Sequence, residues 1–173
     1  MRFIIMHEVK DNFLSDDDFS NLRDLMLGSD FPWFYNDRKV KENDGQYQFT
    51  HTFYRNFCWS SDWSTYLEPI LKKLNPVALL RIKANLIPKQ YKRQLSSLHC
   101  DGEQIWGIMD SEKDVFTSIF YMNTNNGCTV FEDGTEIKSV ANRLVTFPRS
   151  TQHAGATCSD ENVRVLINFN YII

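Results

Sequence analysis

A histidine and an aspartate flank a single small residue in "SSLHCDGE", as His99-Cys100-Asp101. In an extended segment alternate side chains share a face, so His99 and Asp101 would project together with Cys100 behind them. An imidazole and a carboxylate side by side are two-thirds of a metal site. Of the other histidines, His7 and His51 lie in the first half in amphipathic surroundings and read as structural or solvated. His153, in "FPRSTQHAGATC", follows a short apolar run and a Phe-Pro stop, among small residues that let the backbone come close to an ion. Two histidines and one carboxylate from separate strands form the facial triad of non-haem iron(II), which leaves coordination positions open for reactants. A lone H-x-D pair also occurs in ordinary surface turns; the distant histidine raises the pattern above that level.

Arg164 opens the closing segment "VRVLINFNYII". Alternation puts Val163, Val165, Ile167, Phe169 and Tyr171 on one face, and Arg164, Leu166, Asn168 and Asn170 on the other. An arginine on the inner face of a strand is costly unless an anion meets it. That anion is either a carboxylate of the chain or a ligand carboxylate held by the guanidinium fork.

The elements that must position these residues follow from local pattern. "LSDDDFSNLRDLMLGSD" predicts a helix, with Ser15 as N-cap, acidic residues behind it, apolar Phe19, Leu22, Leu25 and Met26 at helical spacing, and Gly28 at its end. "SSDWSTYLEPILKKLNP" predicts a second helix, capped near Ser61 or Asp62 and stopped by Asn75-Pro76, with Pro69 bending or dividing it. The opening "MRFIIMHEVK" reads as a strand. Beyond Pro76 the chain is a series of short β-rich runs, with hairpin signals at Asn125-Asn126-Gly127 and Glu132-Asp133-Gly134. Helices first and antiparallel strands afterwards predict an α+β domain whose second half is a sandwich or barrel.

At 173 residues the chain reads as a single domain, 1–173, with a core large enough to need no staples. A net charge of −3 offers no strong nucleic-acid signal. No run is long enough for a membrane span. Cys58, Cys100, Cys128 and Cys158 are scattered with no C-x-x-C pair, which suggests reduced thiols and a cytoplasmic setting.

Three segments together carry a resemblance: "LHCD", "TSIFYMNTNNGCTVFEDG" and "NRLVTFPRSTQHAGATCSDENVRVLINFNY". Over roughly Leu79 to Tyr171 the chain resembles the iron(II)- and 2-oxoglutarate-dependent dioxygenases, and within them the prolyl 4-hydroxylase-like branch. Their pattern is H-x-D, a strand ending in Tyr-Leu-Asn, a Gly-Gly-x-Thr-x-Phe segment, a Phe-Pro turn, a second His and a basic residue about ten positions on. The resemblance implies a double-stranded β-helix, or jelly-roll, with the N-terminal helices packed on one sheet. It implies Fe(II) on His99, Asp101 and His153, and 2-oxoglutarate with its distal carboxylate on Arg164. It also implies a hydroxyl from Tyr121 and a polar contact from Asn85 to that cosubstrate. O2 would be the second cosubstrate, with succinate and CO2 released as a small-molecule or peptidyl substrate is hydroxylated. The chain departs from the pattern at Gly127-Cys128, where relatives carry Gly-Gly, and in "NLIPKQYKRQLSSLHCD", which replaces a tyrosine-rich approach to the ligands.

Two further segments bear on substrate. The aromatic stretch Phe31–Trp63 reads as extra strands packing the jelly-roll, with a substrate-facing wall as the alternative. "DGEQIWGIMDSEKD", directly after the ligands, reads as a substrate cover over Glu103–Asp114, hinged at Gly102 and Gly107 and carrying Trp106. Competing readings of the whole are a non-oxidative cupin-like metalloprotein and a catalytically silent binding module of the same fold.

Overall fold

The computed structural model describes residues 7–39, 46–101 and 114–173. Helix α1 spans Asp16–Leu27. Ser15 caps it by accepting the Asp18 N–H, and Asp16, Asp17 and Asp18 meet the positive end of the helix dipole. Leu22 and Met26 are fully buried on its inner face. The second helical region is divided at the proline. A 3-10 turn over Ser64–Leu67 leads into helix α2, Glu68–Leu74, with Pro69 in its first turn. There the missing N–H costs no helical hydrogen bond. Asn75 ends α2 in the left-handed conformation, φ 47°. Ser61 does not cap this region; its hydroxyl joins the His51 ring and the Trp63 N–H instead.

The strands are β1 (Glu8–Lys10), β2 (Phe34–Asn36), β3 (Gln48–Arg55), β4 (Cys58–Trp59), β5 (Ala78–Pro88), β6 (Val115–Tyr121), β7 (Cys128–Phe131), β8 (Glu136–Lys138), β9 (Arg143–Pro148), β10 (His153–Gly155) and β11 (Val163–Ile172). Every pairing is antiparallel. The larger sheet runs β1-β9-β6-β11-β5-β3-β2, with β4 on β3, and the smaller runs β10-β7-β8. The aromatic stretch therefore supplies added strands at one edge, β2 to β4, although Phe34, Tyr35, Phe57 and Trp59 stay exposed.

Alternation on the larger sheet makes two cores. Its outer face packs Phe53, Ile82, Phe120, Val165, Ile167 and Phe169 against Phe19, Leu22 and Met26 of α1 and Ile70 of α2. Its inner face packs Ile119, Tyr121, Val145, Phe147 and Leu166 against Phe131 and Ile137 of the smaller sheet. The space between the sheets, where Arg164 and its neighbours on β11 point, is where a site can form.

One of the two hairpin signals behaves as expected. Glu132-Asp133-Gly134 joins β7 to β8, with Gly134 at φ 86° and its N–H on the Phe131 carbonyl. Asn125-Asn126-Gly127 does not form a hairpin. It carries the chain from β6 in one sheet to β7 in the other. Its polar side chains serve that crossing: Asn125 Oδ1 accepts the Gly127 N–H, and Asp160 accepts the Asn126 N–H.

The region expected as a substrate cover, Glu103–Asp114 with Gly102, Trp106 and Gly107, lies outside the described residues except for Asp114, as do Met1–Met6 of the expected first strand. Among the described residues no helix is long and apolar enough to cross a membrane.

Candidate metal centre

His99 and His153 face each other across an isolated antiparallel bridge. Each donates its backbone N–H to the other's carbonyl, at 2.9 and 3.0 Å, and the rings lie 4.7 Å apart. His99 sits in this bridge and Asp101 in the turn after it, rather than on a regular strand. The result is still convergent: one ligand atom from each of His99, Asp101 and His153 falls within 4.8 Å of the other two.

The protonation pattern suits a cation. His99 Nδ1 lies 3.1 Å from the Ser97 carbonyl, and His153 Nδ1 lies 3.1 Å from that of Thr151. A carbonyl can only accept, so each Nδ1 carries a proton, and in the neutral ring Nε2 is then the atom that presents a lone pair. Burial disfavours a charged Asp101, but Arg81, then His153 and His99, and last the Asn170 hydrogen bond together overcome this and hold the carboxyl at about 2. Arg81 Nη2 reaches Asp101 Oδ1 at 3.1 Å, and Asn170 Nδ2 reaches Oδ2 at 3.3 Å. Arg81 Nε also holds the Asn170 amide oxygen, closing a triangle that fixes the carboxylate. Burial lowers the pKa of His153, which favours the neutral ring that metals bind.

The cluster opens into a cavity of about 310 Å³ between the sheets. Arg164 forms part of its lining and is almost wholly buried. Its Nε donates to Ser139 Oγ at 2.7 Å, its Nη2 lies 3.4 Å from Thr129 Oγ1, and its guanidinium carbon is 5.6 Å from the centre of the Tyr121 ring. Among the described residues no carboxylate lies within 4.0 Å of it. The internal ion pair that would have explained Arg164 structurally is therefore absent from the described residues.

No family model matches the chain, and no curated protein matches it in sequence. Solved structures match nearly its whole length. A viral collagen prolyl hydroxylase from Paramecium Bursaria Chlorella virus-1 superposes with a TM-score of 0.61 at 17% identity, covering 96% of each chain. A 2OG-Fe(II) oxygenase family oxidoreductase from Burkholderia pseudomallei gives 0.67 at 11%, covering 96% of this chain and 84% of its own. The α-ketoglutarate-dependent carbocyclase SnoK of nogalamycin biosynthesis gives 0.66 at 12%, covering 97% and 79%.

The fold is that of the 2-oxoglutarate/iron(II) oxygenases.

Within this oxygenase fold, Asn85 is buried and lines the cavity opposite Leu166. Tyr121 lies beneath Arg164, and its hydroxyl is engaged by Thr129 Oγ1 at 2.7 Å. His51 is tied to the Pro32 carbonyl and Ser61, away from the centre, as its sequence context suggested. His7 stacks on Phe131 at 5.1 Å. Sequence reasoning missed Arg81, Lys83, Thr129, Ser139 and the roles of Asn168 and Asn170. Arg81, Lys83 and Asn85 recur every second residue in an otherwise apolar strand, which is a readable signal for an inner polar face. Thr129 and Ser139 carry no such signal, because each comes from the smaller sheet or its edge and meets Arg164 only through the closure of the fold.

Proposed function

We propose that the chain is an Fe(II)- and 2-oxoglutarate-dependent dioxygenase that hydroxylates its substrate with release of succinate and CO2. The observation that carries this is one cavity with the His99–Asp101–His153 cluster and, also lining it, a buried arginine that has no carboxylate of its own among the described residues. The donor set fits Fe(II): two neutral imidazoles and an ionised carboxylate, all with second partners that orient them. When bound, the metal supplies activation of O2 by oxidation of the 2-oxo acid. The chain's part is to hold the metal on one side with His99, Asp101 and His153, and to anchor the distal carboxylate of 2-oxoglutarate on Arg164. Ser139 and Thr129 pre-orient that guanidinium, Asn85 adds a polar side chain to the cavity wall, and Tyr121 supports Arg164 from behind with its hydroxyl on Thr129. The N-terminal helices back the outer face of the larger sheet, so that its inner face stays rigid. We read residues 1–173 as one such domain, in the reducing, cytoplasmic setting suggested by its four free thiols.

A cupin-like hydrolase has no need of Arg164, and a silent module has no need of an ordered ligand cluster. The test of the reading is binding and turnover together. The chain loaded with Fe(II) should bind 2-oxoglutarate and release succinate slowly alone, and faster with its substrate. Absence of any 2-oxoglutarate binding would reject it.

Two expected results follow from the geometry. A Cβ on Gly127 would lie 2.6 Å from Arg164 Cδ, 2.8 Å from Asn125 Oδ1 and 2.9 Å from the Ala156 carbonyl. Gly127→Ala should therefore cost about 1–3 kcal/mol of stability by overpacking. It should also weaken 2-oxoglutarate binding by pushing Arg164 aside, with thermal unfolding and calorimetry as the readouts. Metal affinity should fall with falling pH, because protons compete for the imidazole Nε2 atoms. The sign follows from the two groups: Asp101 stays ionised down to about pH 2, and His153 takes up its proton only below the ordinary imidazole range. Zn(II) titrations from neutral pH downward should show the loss while Asp101 is still ionised.

A further inference from the structure

The inner face of β5 carries Arg81, Lys83 and Asn85 into the cavity, and that of β11 carries Arg164, Asn168 and Asn170 toward it. Register places Asn170 opposite Arg81 and Asn168 opposite Lys83. Among the described residues the cavity lining includes Arg81, Lys83 and Arg164 and one carboxylate, Asp101, in a chain whose net charge is −3. A divalent metal and a dianionic cosubstrate would cancel each other's charge, so the charge balance among these described residues would be the same in the loaded enzyme.

Two of these cations have tasks. Arg81 is committed to Asp101 at 3.1 Å. Arg164 is the anchor assigned to 2-oxoglutarate above. Lys83, by contrast, has no hydrogen-bond or ion-pair partner among the described residues. Its cross-strand neighbour Asn168 has a buried Oδ1 that is likewise unpartnered. Burial, and then the like charge of Arg81, push Lys83 down to about 8, with Asp101 opposing and Arg55 adding to the effect, so the ammonium is still charged at neutral pH. An unpaired ammonium and an unpaired acceptor side by side are costly in a folded protein and become favourable only when a ligand meets both.

Position separates this pair from the cosubstrate anchor. Arg164 is opposite Ile87. Lys83 is four residues back along β5, about 13 Å at strand rise. It is two residues, about 7 Å, from Arg81, which holds the metal-side carboxylate. The pair therefore borders the metal cluster and not the distal carboxylate.

We propose that Lys83 and Asn168 form the anchor for the oxidised substrate, binding a carboxylate flanked by an N–H or O–H donor. The carboxylate pairs with the Lys83 ammonium, and the adjacent amino or hydroxyl group donates to Asn168 Oδ1. The substrate is thus an α-amino or α-hydroxy acid, or a chain ending in one, and not the interior of a neutral peptide, which would leave Lys83 unpaired. This inference rests on the oxygenase reading above.

The test uses Zn(II) in place of iron, so that no turnover intervenes, with 2-oxoglutarate present. Calorimetry follows the addition of free α-amino and α-hydroxy acids, the same compounds as carboxamides, short peptides with a free C-terminus, and peptides capped at both ends. One or more free acids should bind, with the carboxamides weaker by about 30-fold or more. Free C-terminal peptides binding in place of the free acids would assign the carboxylate to a chain end, within the same proposal. Lys83→Met should abolish acid binding, Lys83→Arg should retain it, and 2-oxoglutarate affinity should stay unchanged in both. Lys83→Met should also raise the melting temperature of the ligand-free protein, since it removes a half-buried charge that has no ion-pair partner among the described residues; a structural lysine would do the reverse. The proposal is overturned if acids and amides bind alike, if capped peptides bind, if no panel member binds, or if Lys83→Met loses 2-oxoglutarate affinity, which would assign the ammonium to the cosubstrate. Failure of the wild-type protein to bind 2-oxoglutarate, in contrast, would sink the oxygenase reading itself.

Discussion

His153→Ala should abolish metal binding and 2-oxoglutarate turnover while leaving the fold in place. The ring is one of three clustered donors among the described residues, and its Nδ1 is already fixed on the Thr151 carbonyl, which leaves Nε2 as its ligand atom. Loss of a partner that merely orients a ligand commonly costs 10- to 100-fold in metal affinity, and removal of the ligand itself should cost more. The fold survives because the bridge to His99 is made by backbone groups, which alanine keeps. The side chain packs against Phe147, with ring centres 4.8 Å apart, so a modest drop in melting temperature is expected from the space left behind. His99→Ala should behave alike. Asp101→Ala should differ, because it strips Arg81 of its carboxylate in a mostly buried setting. Asp101→Asn is the better probe there, since it keeps the shape and an acceptor. Metal titration and circular dichroism read the two effects separately, and full turnover in His153→Ala would rule out the ligand assignment.

Arg164→Ala should remove measurable 2-oxoglutarate binding. Removing one partner of a buried charge pair typically costs about 3–5 kcal/mol, more than about 100-fold in affinity. Arg164→Lys keeps the charge but loses the planar fork held by Ser139 and Thr129, so it should bind 2-oxoglutarate more weakly than wild type and more tightly than Arg164→Ala. Metal binding should be unchanged in both variants, because Arg164 makes no hydrogen bond or ion pair with His99, Asp101 or His153. Calorimetry with Zn(II) present distinguishes the outcomes. Unchanged 2-oxoglutarate affinity in Arg164→Ala would make the residue a structural cation instead.

Much of this protein could be read from the order of its residues because the relevant physics is local. The alternation of β11 placed Arg164 and Leu166 on the inner face and Val165, Ile167 and Phe169 on the outer, and the two cores divide along that line. Ser15 and Gly134 act within a few residues of themselves, and Pro69 divides its helical region through its own missing N–H. The types and spacing of His99, Asp101 and His153 were legible for the same reason, though their convergence was only an expectation until the bridge between His99 and His153 placed them together. Tertiary structure alone decided which polar groups are satisfied. Asn125-Asn126-Gly127 has the composition of a hairpin, yet it crosses between sheets, because Gly127 must pass the stem of an arginine 37 positions later in the sequence. Arg81 and Lys83 are near-equivalent on paper: both are basic, both face inward, and they lie two residues apart. One is paired with Asp101, which the fold brings to it from the turn after His99, and the other makes no ion pair among the described residues. No local pattern encodes that difference, because the partner of a buried charge is chosen by the closure of strands distant in sequence, and the energy at stake depends on burial that exists only once they have closed.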